Sequence, residues 1–184
     1  MKNVLIASPK GGVGKTTIAD ELMFLYESQG LDVGFVTLDN QGGSMHTTMS
    51  SDVTADVVVI DSPGRLDDAT DKVMRSSHLV VVPMLPSIRD VEPTLRFFRH
   101  ASRYAPTILV LNRVDLRRVS DKSVVEFLDA QGVEVSAMLP DAAVFARAPL
   151  EGVGVVSSDP RSRAASAVVE LGGDILRRIG VKWC

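Results

Sequence analysis

The sequence predicts an α/β protein, a single doubly wound and mostly parallel sheet with helices on both faces. Three observations carry that expectation. Short apolar runs alternate with stretches of helical periodicity along the chain, the pattern of strand–helix–strand units. The run Val57-Val58-Val59-Ile60 is unbroken rather than alternating, as in a strand covered on both faces. The first apolar run also passes through a glycine-rich turn straight into a helix-like segment, and strand ends of this kind carry the ligands of open α/β sheets.

The elements follow in order. Residues 4–7 form the first strand, and residues 18–28, with Ile18, Leu22, Leu25 and Tyr26 at helical spacing, form a helix closed by Gly30. Residues 33–38 are a second strand. Residues 40–55, polar and rich in Gly, Ser, Thr and Met, read as a loop with room for one helical turn. The strand at 57–60 leads to a helix at 67–76. A strand at 79–82 is stopped by Pro83, since proline cannot continue a central ladder. Residues 93–103 carry a short amphipathic pattern through Leu95, Phe98 and Ala101. A strand at 107–111 precedes a helix at 120–130, capped by Ser120, with Val124, Phe127 and Leu128 on one face. A short strand at 133–137, a loop from Leu139-Pro140 and a long helix at 164–179 complete the chain. Repeats, low-complexity tracts and linkers are absent from the sequence, so residues 1–184 read as one domain.

Composition narrows the class. The chain has 184 residues, 45% apolar and 23% charged, ordinary for a globular protein with a real core. Its one cysteine, Cys184, allows neither a disulfide framework nor a Cys-Cys metal pair, which fits a reducing cytoplasm. Met1-Lys2-Asn3 runs into an apolar stretch too short for a signal peptide, and no stretch is long enough to span a bilayer. The net charge of −3 is unevenly spread: residues 1–95 hold 7 cationic and 13 anionic side chains, residues 96–184 hold 13 and 10. Arg117, Arg118, Arg161, Arg163, Arg177 and Arg178 are therefore candidates for contact with an acidic partner such as DNA, against the alternative of solvated helix faces.

The segment Ser8-Pro9-Lys10-Gly11-Gly12-Val13-Gly14-Lys15-Thr16-Thr17 carries the chemistry. Glycines let successive N–H groups point inward at a helix N-terminus, which suits phosphate. In this motif Lys15 reaches the terminal phosphates and the Thr16 hydroxyl ligates Mg²⁺. The first glycine of G-x-x-x-x-G-K-[ST] is replaced by Pro9, and a Gly pair preceded by Lys10 stands instead. Two strand-end aspartates complete the site. Asp61, after four apolar residues, would hold Mg²⁺ through a water; Asp39 would orient the attacking water. Gly42-Gly43 and Gly64 follow them, so both loops read as able to move with the nucleotide state.

Lys-Gly-Gly-Val-Gly-Lys-Thr-Thr at 10–17 resembles the deviant Walker A of the ParA/MinD family of P-loop ATPases. Leu38-Asp39-Asn40-Gln41-Gly42, Asp61-Ser62-Pro63-Gly64, Leu79 to Pro83 with Pro86-Ser87, and Phe145 to Val155 with Leu150-Glu151-Gly152 resemble further family segments. The likeness covers nearly the whole chain and leans toward small ParA-type partition proteins. It implies ATP and Mg²⁺ as cofactors, with Gly11, Gly12, Val13, Gly14, Lys15, Thr16 and Thr17 on the phosphates. It implies a homodimer in the ATP state, with Lys10 reaching the partner's phosphates and Asp39 activating water. It implies non-specific DNA binding and a ParB-like adaptor that stimulates slow hydrolysis. Asn112 and Pro140 are the candidate base contacts. The chain departs from the family at Thr37, at Asn40 and in the short segment between Asp39 and Asp61, which reads as a missing helix.

Other readings follow from particular residues. The basic, Trp-bearing end from Ile175 to Cys184 is compatible with a weak membrane anchor of MinD type, or simply continues the core face of the last helix. Asn112-Arg113-Val114-Asp115 is close to the Asn-Lys-x-Asp guanine motif, so GTP is an alternative, with Asp115 accepting from the base. A metabolite kinase lacks a visible substrate segment, and an iron–sulfur reductase lacks internal cysteines. A binding module without turnover is the last alternative.

Overall fold

The computed structural model describes residues 1–38, 43–50, 54–63 and 68–182. Six strands, β1 (Lys2–Ile6), β2 (Val33–Thr37), β3 (Val57–Asp61), β4 (Leu79–Met84), β5 (Thr107–Val114) and β6 (Val135–Pro140), form one sheet in the order β2-β3-β1-β4-β5-β6. Every pairing is parallel. The helices are α1 (Lys15–Ser28), α2 (Asp68–Ser76), α3 (Ile88–Ala101), α4 (Val119–Ala130), the single turns α5 (Val144–Arg147) and α6 (Val155–Ser158) around a 3₁₀ turn at Ala148–Glu151, and α7 (Arg163–Ile179).

Alternation along each strand sends side chains to two cores. Val4, Ile6, Val57, Val59, Leu79, Val81, Ile108 and Val110 face α1 and α7. Leu5, Val58, Ile60, Val80, Val82, Leu109 and Leu111 face α2, α3 and α4. Because both faces are covered, no strand position in the middle of the sheet tolerates a polar residue, hence the unbroken apolar runs. On the first face α1 and α7 approach closely at Gly172. A Cβ there would fall less than 3.0 Å from Leu25, and the buried Tyr26 hydroxyl donates to the Gly172 carbonyl at 3.1 Å.

Several boundaries differ from the sequence expectation, each for a local reason. Pro83 does not end β4. Its nitrogen faces β1 at the very end of that ladder, past the Ile6–Val81 pair and the bond from the Ala7 N–H to the Val81 carbonyl, while its register with Val110 continues toward β5. Helix α3 begins at Ile88, and Pro93 lies inside it, where it forfeits the backbone bond to the Arg89 carbonyl; the buried side chains Val91, Leu95 and Phe97 carry the helix across it. Helix α4 has Arg118, not Ser120, at its N-cap, and Ser120 instead donates to Asp121. Val124 and Leu128 are buried, but Phe127 is exposed. Strand β6 lies at 135–140 rather than 133–137.

In the expected loop, residues 43–50 lie against α1 and the β2 edge. Met49 N–H donates to the Phe35 carbonyl at 2.8 Å, and Thr37 N–H to Thr48 Oγ1 at 3.2 Å. No helix among the described residues is long and apolar enough to cross a membrane.

Candidate functional site

The C-terminal ends of β1 and β3 converge, since Ile6 pairs with Asp61 in register. The chain leaving β1 turns through residues 8–14 and enters α1 at Lys15. Gly12 (φ 74°) and Gly14 (φ 93°) take left-handed backbone conformations, which L side chains adopt at a cost of about 1–2 kcal/mol. Gly11 and Gly12 border open space. Lys15 is buried, 7% exposed, and its ammonium donates back to the Lys10 carbonyl at 3.3 Å, so the side chain folds over the loop. The Thr16 hydroxyl donates to Asp61 Oδ2 at 2.7 Å, and Asp61 is 2% exposed.

These residues fit a phosphate chain with a hard divalent cation. Backbone amides with an ammonium above them form an anion cradle. A hydroxyl and a carboxylate sharing one locus supply the few oxygen ligands that Mg²⁺ takes from protein.

Asn112, at the end region of β5, braces the loop from behind. Its Nδ2 donates to the Val13 carbonyl at 2.8 Å, and its Oδ1 accepts the Arg113 N–H at 2.9 Å. A Cβ on Gly14 would lie less than 3.0 Å from Asn112 Nδ2. Arg113 itself has φ 57°, a turn-like backbone steadied by that second bond. This bracing role was not visible in the sequence. Beyond Asn112 lies a cleft of about 1000 Å³ lined by Val114, Asp115, Pro140, Asp141, Arg147 and Arg163. Asp115 is held by Arg117, which donates through Nε and Nη2 at 2.9 Å each and through its backbone N–H at 3.1 Å. The Arg117 bonds hold the Asp115 carboxyl down to about 2.

Lys10, half exposed, makes an ion pair with Asp90 on the first turn of α3, and Asp90 is 1% exposed. Asp39 lies outside the described residues, as do Asn40, Gln41, Gly42 and Gly64. The six candidate arginines divide. Arg117 pairs with Asp115, Arg118 with Asp141 at 2.8 Å, and Arg177 and Arg178 both with Asp174. Arg117 and Arg163 line the cleft at the strands' C-terminal edge, whereas Arg177 and Arg178 line a shallow groove with Glu134 and Ser136. They do not share one face. The apolar residues of the candidate membrane tail, Ile175, Leu176 and Ile179, are buried against the sheet; Trp183 and Cys184 lie outside the described residues.

A second polar centre went unread in the sequence. Asp20 on α1 accepts from Ser44 Oγ at 2.6 Å and from the Met45 N–H at 3.1 Å, and lies 2.9 Å from His46 Nδ1. The His46 ring packs edge-on against Phe24 at 4.5 Å between centroids. Burial opposes a charged His46, but Asp20 and Glu27 outweigh it and raise its affinity for the proton. This hub ties residues 44–46 to the helix that follows the glycine loop. Helical periodicity carries no signal for it, because its members are more than 20 residues apart.

A profile of the CobQ/CobB/MinD/ParA nucleotide binding domain matches residues 4–155. The chain belongs to that family. Among solved structures it is similar to an ATP complex of McdA from Cyanothece, with TM-score 0.77, 15% identity, and 100% of this chain and 98% of that one covered. It is also similar to the MinD septum site-determining protein of Pyrococcus horikoshii complexed with Mg-ADP (TM-score 0.74, 19% identity, 95% of each chain). A third is a plasmid partition protein of Borrelia burgdorferi bound to AMPPNP (TM-score 0.75, 17% identity, 96% and 99% covered). At these identities the likeness establishes the fold. No curated protein matches the sequence.

Proposed function

We propose that this member of the ParA/MinD family is a cytoplasmic, ParA-type ATPase that positions or segregates DNA or another large cargo through ATP-dependent dimerisation. The observation that carries the reading is the constellation at the strand ends. A three-glycine loop, the buried Lys15 and the Thr16–Asp61 pair stand together, with a second lysine, Lys10, at the loop's mouth. The bound Mg²⁺ would supply charge neutralisation on the transferred phosphoryl group. Gly11 to Thr17 hold the phosphates by backbone amides, Lys15 balances their charge, and Thr16 and Asp61 position the cation. Asp39 orients the water. Lys10 is the second cation, and acting across a dimer requires it to exchange Asp90 for a phosphate on the partner subunit.

ATP is favoured over GTP because the Asp115 carboxylate, which would have to accept from guanine, is already taken by Arg117. Pro140 lines the cleft in which a base would sit, and Asn112 lies two residues before Val114 in its wall. DNA and a hydrolysis-stimulating adaptor are the proposed partners, and the buried tail of α7 argues against a membrane anchor. Size-exclusion chromatography with light scattering tests the switch, using Asp39→Ala to slow turnover. A dimer in ATP but not in ADP, lost in Lys10→Ala, is the expected result. A monomer in both nucleotides would refute the dimer, and no turnover by the wild type with DNA present would refute the ATPase.

A further inference from the structure

We infer that the outer face of α2 and α3 holds the phosphate backbone of duplex DNA, an inference that rests on the partition reading above and moves the contact away from the arginines read from sequence. Four of those arginines are paired with three aspartates on their own surface, Arg177 and Arg178 sharing Asp174. On α3 the position is different. Arg89, Arg96 and Arg99 on the helix and Arg103 in the turn after it are all exposed, and their spacing of seven, three and four residues keeps them on one side. Lys72 and Arg75 stand beside them on α2, and Arg75 lies over the Tyr104 ring at 4.1 Å. Among the described residues, Lys72, Arg89, Arg99 and Arg103 make no ion pair, and Arg96 meets only Glu92, itself 83% exposed. The other described acid beside this stripe, Asp71, lies 3.2 Å from His100 Nε2.

The chemistry of the stripe favours a regular polyanion over a protein. Specific protein contacts are anchored by Trp, Tyr and Arg packed into desolvated pockets, and here the arginines stand without exposed apolar neighbours: beyond Ile88 at the start of the stripe, no large apolar side chain from residue 89 to residue 103 is among the exposed ones. Arginine presents a forked donor suited to phosphate. At 1.5 Å per residue the stripe runs about 21 Å, about six base-pair steps of a duplex. Contact of this kind carries no sequence information, which suits a protein that must engage DNA anywhere.

Binding of a fluorescent duplex of arbitrary sequence, measured in ATP across a salt series, tests this. The comparison is wild type, Arg96→Ala/Arg99→Ala/Arg103→Ala, and Arg161→Ala/Arg163→Ala, the last pair also being free of ion pairs among the described residues. The α3 triple variant is expected to keep its ATP turnover without DNA and to bind DNA at least about tenfold more weakly at about 0.1 M salt. Its slope of log K against log salt should fall by about 0.9 for each contact removed. Wild-type affinity in the triple variant, or loss confined to the Arg161/Arg163 variant, would overturn the placement while leaving DNA binding intact. A wild type that binds no DNA at low salt would overturn the DNA reading and this inference together. Loss of poly-glutamate binding with DNA binding retained would assign the stripe to an acidic polypeptide and overturn it.

Discussion

The brace behind the glycine loop can be dissected by a double-mutant cycle on Gly14 and Asn112. Gly14→Ala places a methyl group within 3.0 Å of Asn112 Nδ2 at a backbone φ of 93°. The conformation costs about 1–2 kcal/mol and the overlap about 1–3 kcal/mol more. Asn112→Ala removes the bonds to the Val13 carbonyl and from the Arg113 N–H, in a residue 5% exposed. Stranding a buried carbonyl costs about 1–3 kcal/mol. In the double variant the atom that the methyl group strikes is gone, so only the backbone share of the Gly14 penalty remains. The double variant should therefore be about 1–3 kcal/mol more stable than the sum of the single effects. Urea unfolding of the four nucleotide-free proteins measures this, provided their m-values agree. Additivity within about 0.5 kcal/mol, the behaviour of independent sites, would refute the contact between brace and loop.

Three further outcomes are expected. The buried Glu21 carboxylate accepts the Val155 N–H at 2.8 Å, yet burial outweighs that bond and raises its pKa from 4.5 to about 7. Between those two values the folded state thus binds more protons than the unfolded chain, so stability falls as pH rises through this window; Glu21→Gln should flatten that part of a melting-temperature profile, and an unchanged slope would assign it elsewhere, with His46 the next candidate. For the Lys10–Asp90 pair, Lys10→Ala leaves a buried carboxylate unmatched, whereas Asp90→Asn leaves a lysine that reaches water. Chemical denaturation should therefore show the lysine variant to be the less stable of the two, by about 1–2 kcal/mol, and equal stabilities would refute the asymmetry. Tyr26→Phe should cost about 0.5–1.5 kcal/mol by removing one buried hydrogen bond, since the Gly172 carbonyl sits inside α7 and keeps its helical partner; a thermal midpoint equal to wild type would show that bond to be dispensable.

The sheet was legible because burial on both faces leaves no choice of residue in its middle: Val57 to Ile60 and Leu79 to Val82 could be nothing but covered strands. Its margins were harder. Strand β6 is mostly half-buried, so its apolar signal is diluted and its position slipped by two to three residues. Pro93 reads as a boundary because an interior proline forfeits a helical bond, but the buried residues Val91, Leu95 and Phe97 on either side of it carry α3 through. The phosphate loop was legible because glycine, lysine and threonine are each dictated by backbone geometry or charge. Its supports were not. Asp90 and Asn112 meet the loop across 80 and 99 residues, and Asp20 meets His46 across 26. Contacts of that range leave no periodicity to read. The charge count located cations correctly but could not see that Asp115, Asp141 and Asp174 had already claimed four of them.

The lock between Tyr26 and Gly172 bears on how the chain is made. The loop and helix that cradle phosphate are synthesised before the rest of the sheet, yet the Tyr26 hydroxyl meets the Gly172 carbonyl only after 146 more residues have been added. Parallel pairing compounds the delay, since β1 at the sheet's centre must wait for both β3 and β4. Topologies ruled by such distant contacts fold slowly and leave apolar surface uncovered meanwhile. For this chain, closure of the nucleotide-binding half and completion of the last helix are one event, and a nascent chain that stops short of α7 would present Leu22, Leu25 and Tyr26 to whatever lies nearby.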